Sequence, residues 1–195
     1  KHVADRLAER VVVLNGDTLC DVDLIALRDA VPDGGGAMAL RIHPDEARER
    51  YGVVAYDDAA RIVDLKGMAA AEPAGAVHHD AHFTGIHALD RAMLAHVPDG
   101  FGCIVRTAYI AEVPHRRVAA VPHTGLWLDV GDARAYLEAN LAVLDGSVAP
   151  PIDPWERAAG GLQGGSARPG SGHLEGPVWI GAGARVAGSV ARSVI

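Results

Sequence analysis

Apolar residues fall into short runs of two kinds along this chain. Residues 11–14 read Val-Val-Val-Leu, four consecutive apolar positions of which three are β-branched. That is the pattern of a strand buried on both faces, as in a parallel sheet. The run stops at Asn15-Gly16-Asp17, a turn signal. Residues 21–30 carry apolar positions at 22, 24, 25 and 27 and predict a helix, and residues 2–9 predict another, with Val3 and Leu7 four apart. Strands are expected at 37–42, at 83–89, at 118–121 and at 126–130. A further pair at 52–56 and 61–65 forms a hairpin across Asp57-Asp58-Ala59-Ala60. Asp90 caps the helix after its strand, 102–111 is predicted helical, and Asp132 opens an amphipathic helix with Ala135, Leu137, Leu141 and Leu144 among its apolar positions. Strands alternating with helices over the first 145 residues predict an α/β fold with a mostly parallel sheet. Ligands of such sheets bind at the carboxyl ends of the strands. Asp17 and Asp129 both stand where a predicted strand ends.

The pattern changes after residue 145. Residues 146–175 are rich in Gly, Pro and Ser and read as a linker or long surface loop, in which Trp155 is the residue expected to be anchored. Residues 176–195 change again. Ile180 and Val186 stand six apart with small residues between them. Hexapeptide β-helices have this spacing, because each side of a triangular coil points one aliphatic residue inward. An ordinary Gly-rich strand fits the two positions equally.

Composition narrows the function classes. The chain has 195 residues, 49% of them hydrophobic, enough for a sizeable core. Its net charge of −7 argues against nucleic acid as the main partner, since phosphate-backbone binding needs clustered Lys and Arg. Cys20 and Cys103 are far apart and belong to no C-x-x-C pair, which fits a reduced, cytoplasmic protein. No apolar run approaches the roughly 20 residues that span a bilayer, and no signal peptide is visible. The chain starts at Lys1 and not at Met, so its first residue need not be where its gene begins.

Asp17 and Asp129 are the carboxylates with a chemical reading. Each follows an apolar run and has a glycine nearby, Gly16 before Asp17 and Gly131 after Asp129. A carboxylate at the end of a buried strand is costly unless it is paired or holds a cation. Two of them meeting over one sheet edge would make a hard oxygen site suited to Mg²⁺. An ordinary strand-to-helix turn also carries N-G-D, and Asp129 could serve as a helix cap, although Asp132 is better placed for that.

Four segments together resemble a known family. VVVLNGDTLCDVD at 11–23, RIVDLKG at 61–67, FTGIHAL at 83–89 and LWLDVGDARAYLEANLAVL at 126–144 stand in the order and spacing of sugar-1-phosphate nucleotidyltransferases. The branch they resemble is the mannose-1-phosphate guanylyltransferase-like one. The resemblance covers roughly residues 3–145, and a C-terminal left-handed β-helix fits members that carry such a tail. It implies a Rossmann-like nucleotidyltransferase domain, here incomplete, over 1–145. A linker at 146–175 and the start of a β-helix at 176–195 would follow. It implies a nucleoside triphosphate and a sugar 1-phosphate as partners, and release of pyrophosphate. By this resemblance Asp17 and Asp129 match the aspartates that hold the catalytic Mg²⁺, and Lys66 matches the lysine that contacts the sugar phosphate. Thr84 and Gly85 match the strand lining the sugar, Asn15 and Gly16 lie near the nucleotide, and Trp127 fixes the metal loop by packing. An open β-helix end exposes strand edges, which points to a homo-oligomer without giving its size.

The sequence also departs from that family. Leu65 stands where the family has Glu, Gly67 where it has Pro, and Asp132 where it has Thr. The family's glycine-rich phosphate loop, G-x-G-T-R-L-x-P-L-T followed by P-K-P, is missing, and would lie upstream of residue 1. A chain without it is expected to bind nucleotide poorly. Two other readings stay open. Asp21-Val22-Asp23 is a D-x-D of the kind that marks type A glycosyltransferases, and a non-catalytic relative would bind nucleotide sugar in the same pocket. His78, His79 and His82 suggest a metal, but the segment leads into a strand, and zinc needs four ligands with support behind them. Gly34-Gly35-Gly36 lacks the Gly-Lys-Ser/Thr of a phosphate loop.

Overall fold

The computed structural model describes residues 4–42, 47–75, 78–149, 157–158, 161–163, 168–169, 173–181 and 183–195. The chain divides into two compact units, the first formed by residues 1–16 and 22–127, the second by 17–21 and 128–195.

The first unit is built on a six-stranded sheet. Its strands are β1 (Arg10–Leu14), β3 (Gly36–Ile42), β4 (Val54–Asp57), β5 (Ile62–Leu65), β6 (His78–Asp90) and β7 (Val118–His123). β6 is the organising strand. It runs antiparallel to β3, to β4 and to β1, and β4 runs antiparallel to β5. Among the described residues of this sheet, only β3 and β7 pair in parallel. The sheet is therefore mixed and not mostly parallel, which corrects the expectation from the apolar run at 11–14. Such a run reports burial and says nothing of strand direction. Here Val11, Val12 and Val13 are half-buried and Leu14 is 47% exposed. The expected hairpin at β4 and β5 is present.

Helix α1 (Leu24–Asp29) starts where Asp23 accepts hydrogen bonds at Oδ1 from the Ile25 and Ala26 amides, 3.0 and 2.9 Å, and it buries Leu27. The short α2 (Ala47–Tyr51) follows β3. Asp90 caps the 3₁₀ segment Arg91–His96 through the Ala92 amide, 2.8 Å. The helix expected at 102–111 is a π-helical turn, Val105–Tyr109, running into α3 (Ile110–Glu112). At the N-terminal end of the chain, Ala4–Arg6 is a single 3₁₀ turn, and residues 1–3 lie outside the described residues. The core gathers Met38, Leu40, Val54, Ile62, Leu65, Leu89, Met93, Tyr109 and Val118. Several buried polar side chains are hydrogen-bonded, Asp57, Thr84, His87 and Glu112 among them. Tyr109 donates to the Ala88 carbonyl at 2.8 Å and meets His87 Nδ1 at 2.8 Å, so that nitrogen carries the proton in the pair. Burial holds the His87 pKa down at about 4, which keeps the ring neutral.

The second unit contains β2 (Thr18–Cys20) beside β8 (Trp127–Asp129), whose first residue belongs to the first unit, and the helix α4 (Ala133–Asp145). β2 was not foreseen, because Thr18-Leu-Cys20 is too short for a period to show. α4 begins at Asp132, whose Oδ1 accepts from the Ala135 amide at 2.8 Å, and ends at Gly146 in the left-handed conformation. Three short strands fall inside the stretch read as linker: β9 (Arg157–Ala158), β10 (Gly161–Gln163) and β11 (Arg168–Pro169). The anchoring expected of Trp155 lies outside the described residues. β12 (Leu174–Ile180), β13 (Arg185–Val186) and β14 (Val190–Val194) complete the chain. Parallel pairs join β10 to β12, β11 to β13 and β12 to β14, with Leu162 in register with Trp179 and Leu174 with Val190. Ile180 and Val186, the hexapeptide positions, are buried together with Val178.

Candidate active site

The candidate residues fall into two sets, one in each unit. Asp17 and Asp129 belong to the second. Asp129 is the last residue of β8, and Asp17 lies in the turn before β2, where its carbonyl accepts from the Val130 amide at 2.9 Å. That hydrogen bond ties two segments more than a hundred residues apart. Gly131 shows how close the carboxylates come. A Cβ built there would lie 3.1 Å from Asp17 Oδ2 and 3.2 Å from Asp129 Oδ1. Both oxygens thus converge on one point that a side chain would fill, and the Gly131 amide donates to Asp129 Oδ1 at 3.1 Å. The requirement at 131 is for space. Asp132, next in the chain, caps α4 and leaves Asp129 clear of that task.

These two carboxylates give a donor set of hard oxygens. Among the described residues no group of three His, Cys, Asp or Glu gathers around a point. Two carboxylates with open positions suit Mg²⁺, which keeps several waters and takes phosphate oxygens as further ligands. They do not suit a structural zinc site, which needs four protein ligands.

The set in the first unit is held by the sheet. Asn15 continues the β1–β6 ladder, its amide donating to the Gly85 carbonyl at 3.2 Å. Gly85 has a φ of +82°, and a Cβ there would stand 2.5 Å from Asn15 Nδ2. Only glycine fits that conformation and that approach. Thr84 is 2% exposed, and its hydroxyl donates to the Ala39 carbonyl at 2.8 Å. The Thr84 hydroxyl is therefore engaged inside the sheet. A Cβ at Gly16 would meet nothing within 4 Å, so the turn there borders open space.

Lys66 stands exposed in the turn after β5, with a left-handed φ of 56° and its amide donating to the Val53 carbonyl at 3.0 Å. Partial desolvation lowers its pKa first, and the positive charge of Arg106 lowers it further against an opposing effect of Cys103. Leu65, the residue in the place of the family's acid, is fully buried in the core.

Arg41 and Tyr51, which the sequence did not single out, join Trp127 and His82 about this set. Trp127 donates from Nε1 to the Thr84 carbonyl at 2.8 Å, and Arg41 Nη1 donates to the Gly125 and Trp127 carbonyls at 3.1 and 3.2 Å. Tyr51 stacks on His82 with centroids 4.8 Å apart, and both rings meet Trp127, at 5.3 and 4.8 Å. A strand sends alternate side chains to opposite faces, which separates the histidines. His79 stacks on Tyr56 and reaches Asp58 at 3.1 Å, whereas His82 lies buried in the aromatic cluster. The Tyr51-Gly52 pair was the available signal, but nothing in its spacing links it to Trp127.

Comparison with known proteins bears on the whole arrangement. The family model described as "Nucleotidyl transferase" matches residues 1–146. No curated protein matches the chain. Among solved structures it is similar to HddC from Yersinia pseudotuberculosis, at 17% identity and a TM-score of 0.50, covering 71% of this chain and 57% of that one. It is also similar to a putative glucose-1-phosphate thymidylyltransferase from Bacillus anthracis in complex with a sucrose, at 18% identity and a TM-score of 0.51, covering 80% of this chain and 61% of that one. At such identities the likeness is one of fold. The chain spans about three fifths of the length of these structures. No helix among the described residues is long and apolar enough to cross a membrane.

Proposed function

Because this chain belongs to the nucleotidyl transferase family, we propose that it serves transfer of a nucleotidyl group from a nucleoside triphosphate to a sugar 1-phosphate, giving a nucleotide sugar and pyrophosphate. The observation that carries this reading is the convergence of Asp17 and Asp129 on the space kept by Gly131. These two carboxylates would hold Mg²⁺. The bound ion supplies charge neutralisation at the phosphate oxygens.

The rest is positioning, the main lever in transfer of phosphorus groups. A sugar-phosphate oxygen attacks the α-phosphorus in line, the bond to the pyrophosphate oxygen breaks, and no covalent intermediate forms on the protein. Lys66 steadies the sugar phosphate. Asn15 and Gly16 lie on the nucleotide side, and Gly85 offers backbone to the sugar with Thr84 holding it in place. The branch the sequence resembles is the mannose-1-phosphate guanylyltransferase-like one, and base and sugar are read out by the substrate panel below. The parallel repeat of β10, β12 and β14 supports a left-handed β-helix start, with a homo-oligomer through it.

The test is Mg²⁺-dependent pyrophosphate release across a panel of nucleoside triphosphates and sugar 1-phosphates, with calorimetric Mg²⁺ binding in parallel. Asp17→Asn and Asp129→Asn should each abolish both. Variants that match the wild type in both would sink the metal assignment.

A second reading is favoured by Leu65, which is buried where the family carries an acid. It is a relative that binds nucleotide sugar without turnover. Tight binding of nucleotide sugar with no pyrophosphate release in any pairing would select it. The D-x-D reading fares worse, since Asp23 caps α1.

A further inference from the structure

Thr84 and Gly85 sit where the sheet ladder breaks. The register between β3 and β6 shifts between Met38 and Leu40, so that Met38 faces His87 while Leu40 faces Phe83. The stretch 84–86 therefore bulges opposite Ala39. A bulge interrupts the ladder, and bulges recur beside active sites because they re-aim the chain. The backbone here depends on other anchors. The Thr84 hydroxyl takes the Ala39 carbonyl and accepts from the Ile86 amide at 3.3 Å. The Trp127 indole takes the Thr84 carbonyl at 2.8 Å. That carbonyl and the Gly85 amide belong to one planar peptide unit, so holding the oxygen fixes the direction of the Gly85 N–H.

Trp127 is itself delivered by a strap without a ladder. β7 ends at His123, β8 begins at Trp127, and residues 124–126 belong to no strand. Three successive carbonyls of this strap are met by side chains instead. Arg41 Nη1 donates to those of Gly125 and Trp127, at 3.1 and 3.2 Å. His123 Nε2 meets that of Leu126 at 3.1 Å, and since a carbonyl only accepts, that nitrogen carries the proton. Arg41 stands in register with His82 on β6 and with His123 on β7. Residues paired across a sheet point to the same face. His82, Arg41 and His123 thus form one row on the face that the strap crosses, where the Trp127 ring meets His82 with centroids 4.8 Å apart.

Arginine suits this task. Nη1 carries two N–H groups in a fixed plane, one for each carbonyl, whereas the ammonium of lysine is a point charge on a mobile stem. A continuous path of hydrogen bonds results, from Arg41 to the strap and from Trp127 to the Thr84 peptide. All of it lies in the first unit.

We propose that Arg41 is a positioning residue for the sugar side of the site. By fixing the strap it sets the Trp127 indole, and through the Thr84 carbonyl it sets the backbone that Gly85 presents to a sugar. That a sugar lies there rests on the reading above; the hydrogen-bonded path does not.

¹⁵N-labelled tryptophan gives an indole N–H signal for Trp127, assigned by its loss in Trp127→Phe. Arg41→Ala should shift that signal and speed exchange of its proton with water. Sugar 1-phosphate affinity, probed by calorimetry with glucose 1-phosphate and mannose 1-phosphate, should fall about tenfold, which is about 1.4 kcal/mol. Arg41→Lys should recover part of it. In the Trp127→Phe background Arg41→Ala should cost nothing further, because the path is already cut. Circular dichroism checks folding, and where Arg41→Ala does not fold, Arg41→Lys and Trp127→Phe carry the test with smaller losses of the same kind. An unmoved indole signal in Arg41→Ala overturns the proposal. So does a moved signal with equal sugar phosphate affinity, which makes Arg41 structural only, and so does a wild type that binds neither sugar phosphate. The two readings fail separately. Sugar phosphate binding that weakens in Arg41→Ala, without pyrophosphate release in any pairing, keeps Arg41 and removes the reaction. Pyrophosphate release with an unchanged KM for sugar phosphate in Arg41→Ala does the reverse.

Discussion

The two units hold their candidate residues by different physical means. In the second, Asp17 and Asp129 converge because Gly131 leaves room for them and the Val130 amide fastens the Asp17 carbonyl. In the first, Asn15, Thr84 and Gly85 are held by sheet hydrogen bonds, by a glycine with positive φ and by the buried pair that His87 of the same central strand makes with Tyr109. Damage should therefore read out differently. A change that fills space in the second unit should cost ligand binding and leave folding alone. A change to the buried network of the first should cost stability.

The largest effect expected is at Gly131. Gly131→Val places a branched side chain between the two carboxylates. Calorimetric Mg²⁺ affinity should fall a hundredfold or more, about 2.7 kcal/mol, with the urea midpoint little changed. A large loss of stability with Mg²⁺ binding retained would erase the contrast between the units.

Next is the pH response of the first unit. The His87 pKa is lowered to about 4 by burial. The unfolded chain therefore binds a proton between about pH 6.5 and 4 that the folded chain refuses. Stability is fully present above pH 6.5 and declines as pH falls through this window, by up to about 3 kcal/mol. Denaturant titrations at several pH values should show the decline, and His87→Gln should flatten it. A curve unchanged by the substitution would remove His87 as its source. Asp57 acts at lower pH. Although burial alone would raise its pKa, hydrogen bonds from the Ala74 and Arg61 amides and Arg116 bring it to about 2. Its contribution is present above pH 3.8 and is lost as pH falls toward 2.

Gly85→Ala should cost about 1–3 kcal/mol, since it forces a β-carbon into positive φ and against Asn15. Thermal melting checks this. An unchanged Tm would mean that the Asn15 amide moves aside easily. The smallest effect is at Trp127. Trp127→Phe removes the hydrogen bond to the Thr84 carbonyl and keeps most of the ring, for a loss of about 1 kcal/mol.

Much of this was legible from local pattern. Asp17 and Asp129 stand out because each ends an apolar run beside glycine, where an acid has no reason to be unless something holds it. Asp90 and Asp132 read as caps, because a cap needs only its own next three residues. The β4–β5 hairpin and α4 followed from period alone. Tyr51, His82 and Trp127 meet across three separate segments, which no spacing encodes.

Strand direction was the clearest failure, with a general cause. Val11-Val12-Val13-Leu14 declares a strand because β-branched residues and burial are local properties, but the choice between parallel and antiparallel lies with the partner. That partner is β6, seventy residues later. The sequence alone thus determined the β4–β5 hairpin, α4 with its cap, which acids lack a local purpose, and the family. Tertiary structure decided which of those elements pair and in which sense. It also decided that Asp17 meets Asp129. Those outcomes depend on contacts between residues far apart in the chain, and such contacts leave no periodicity behind them.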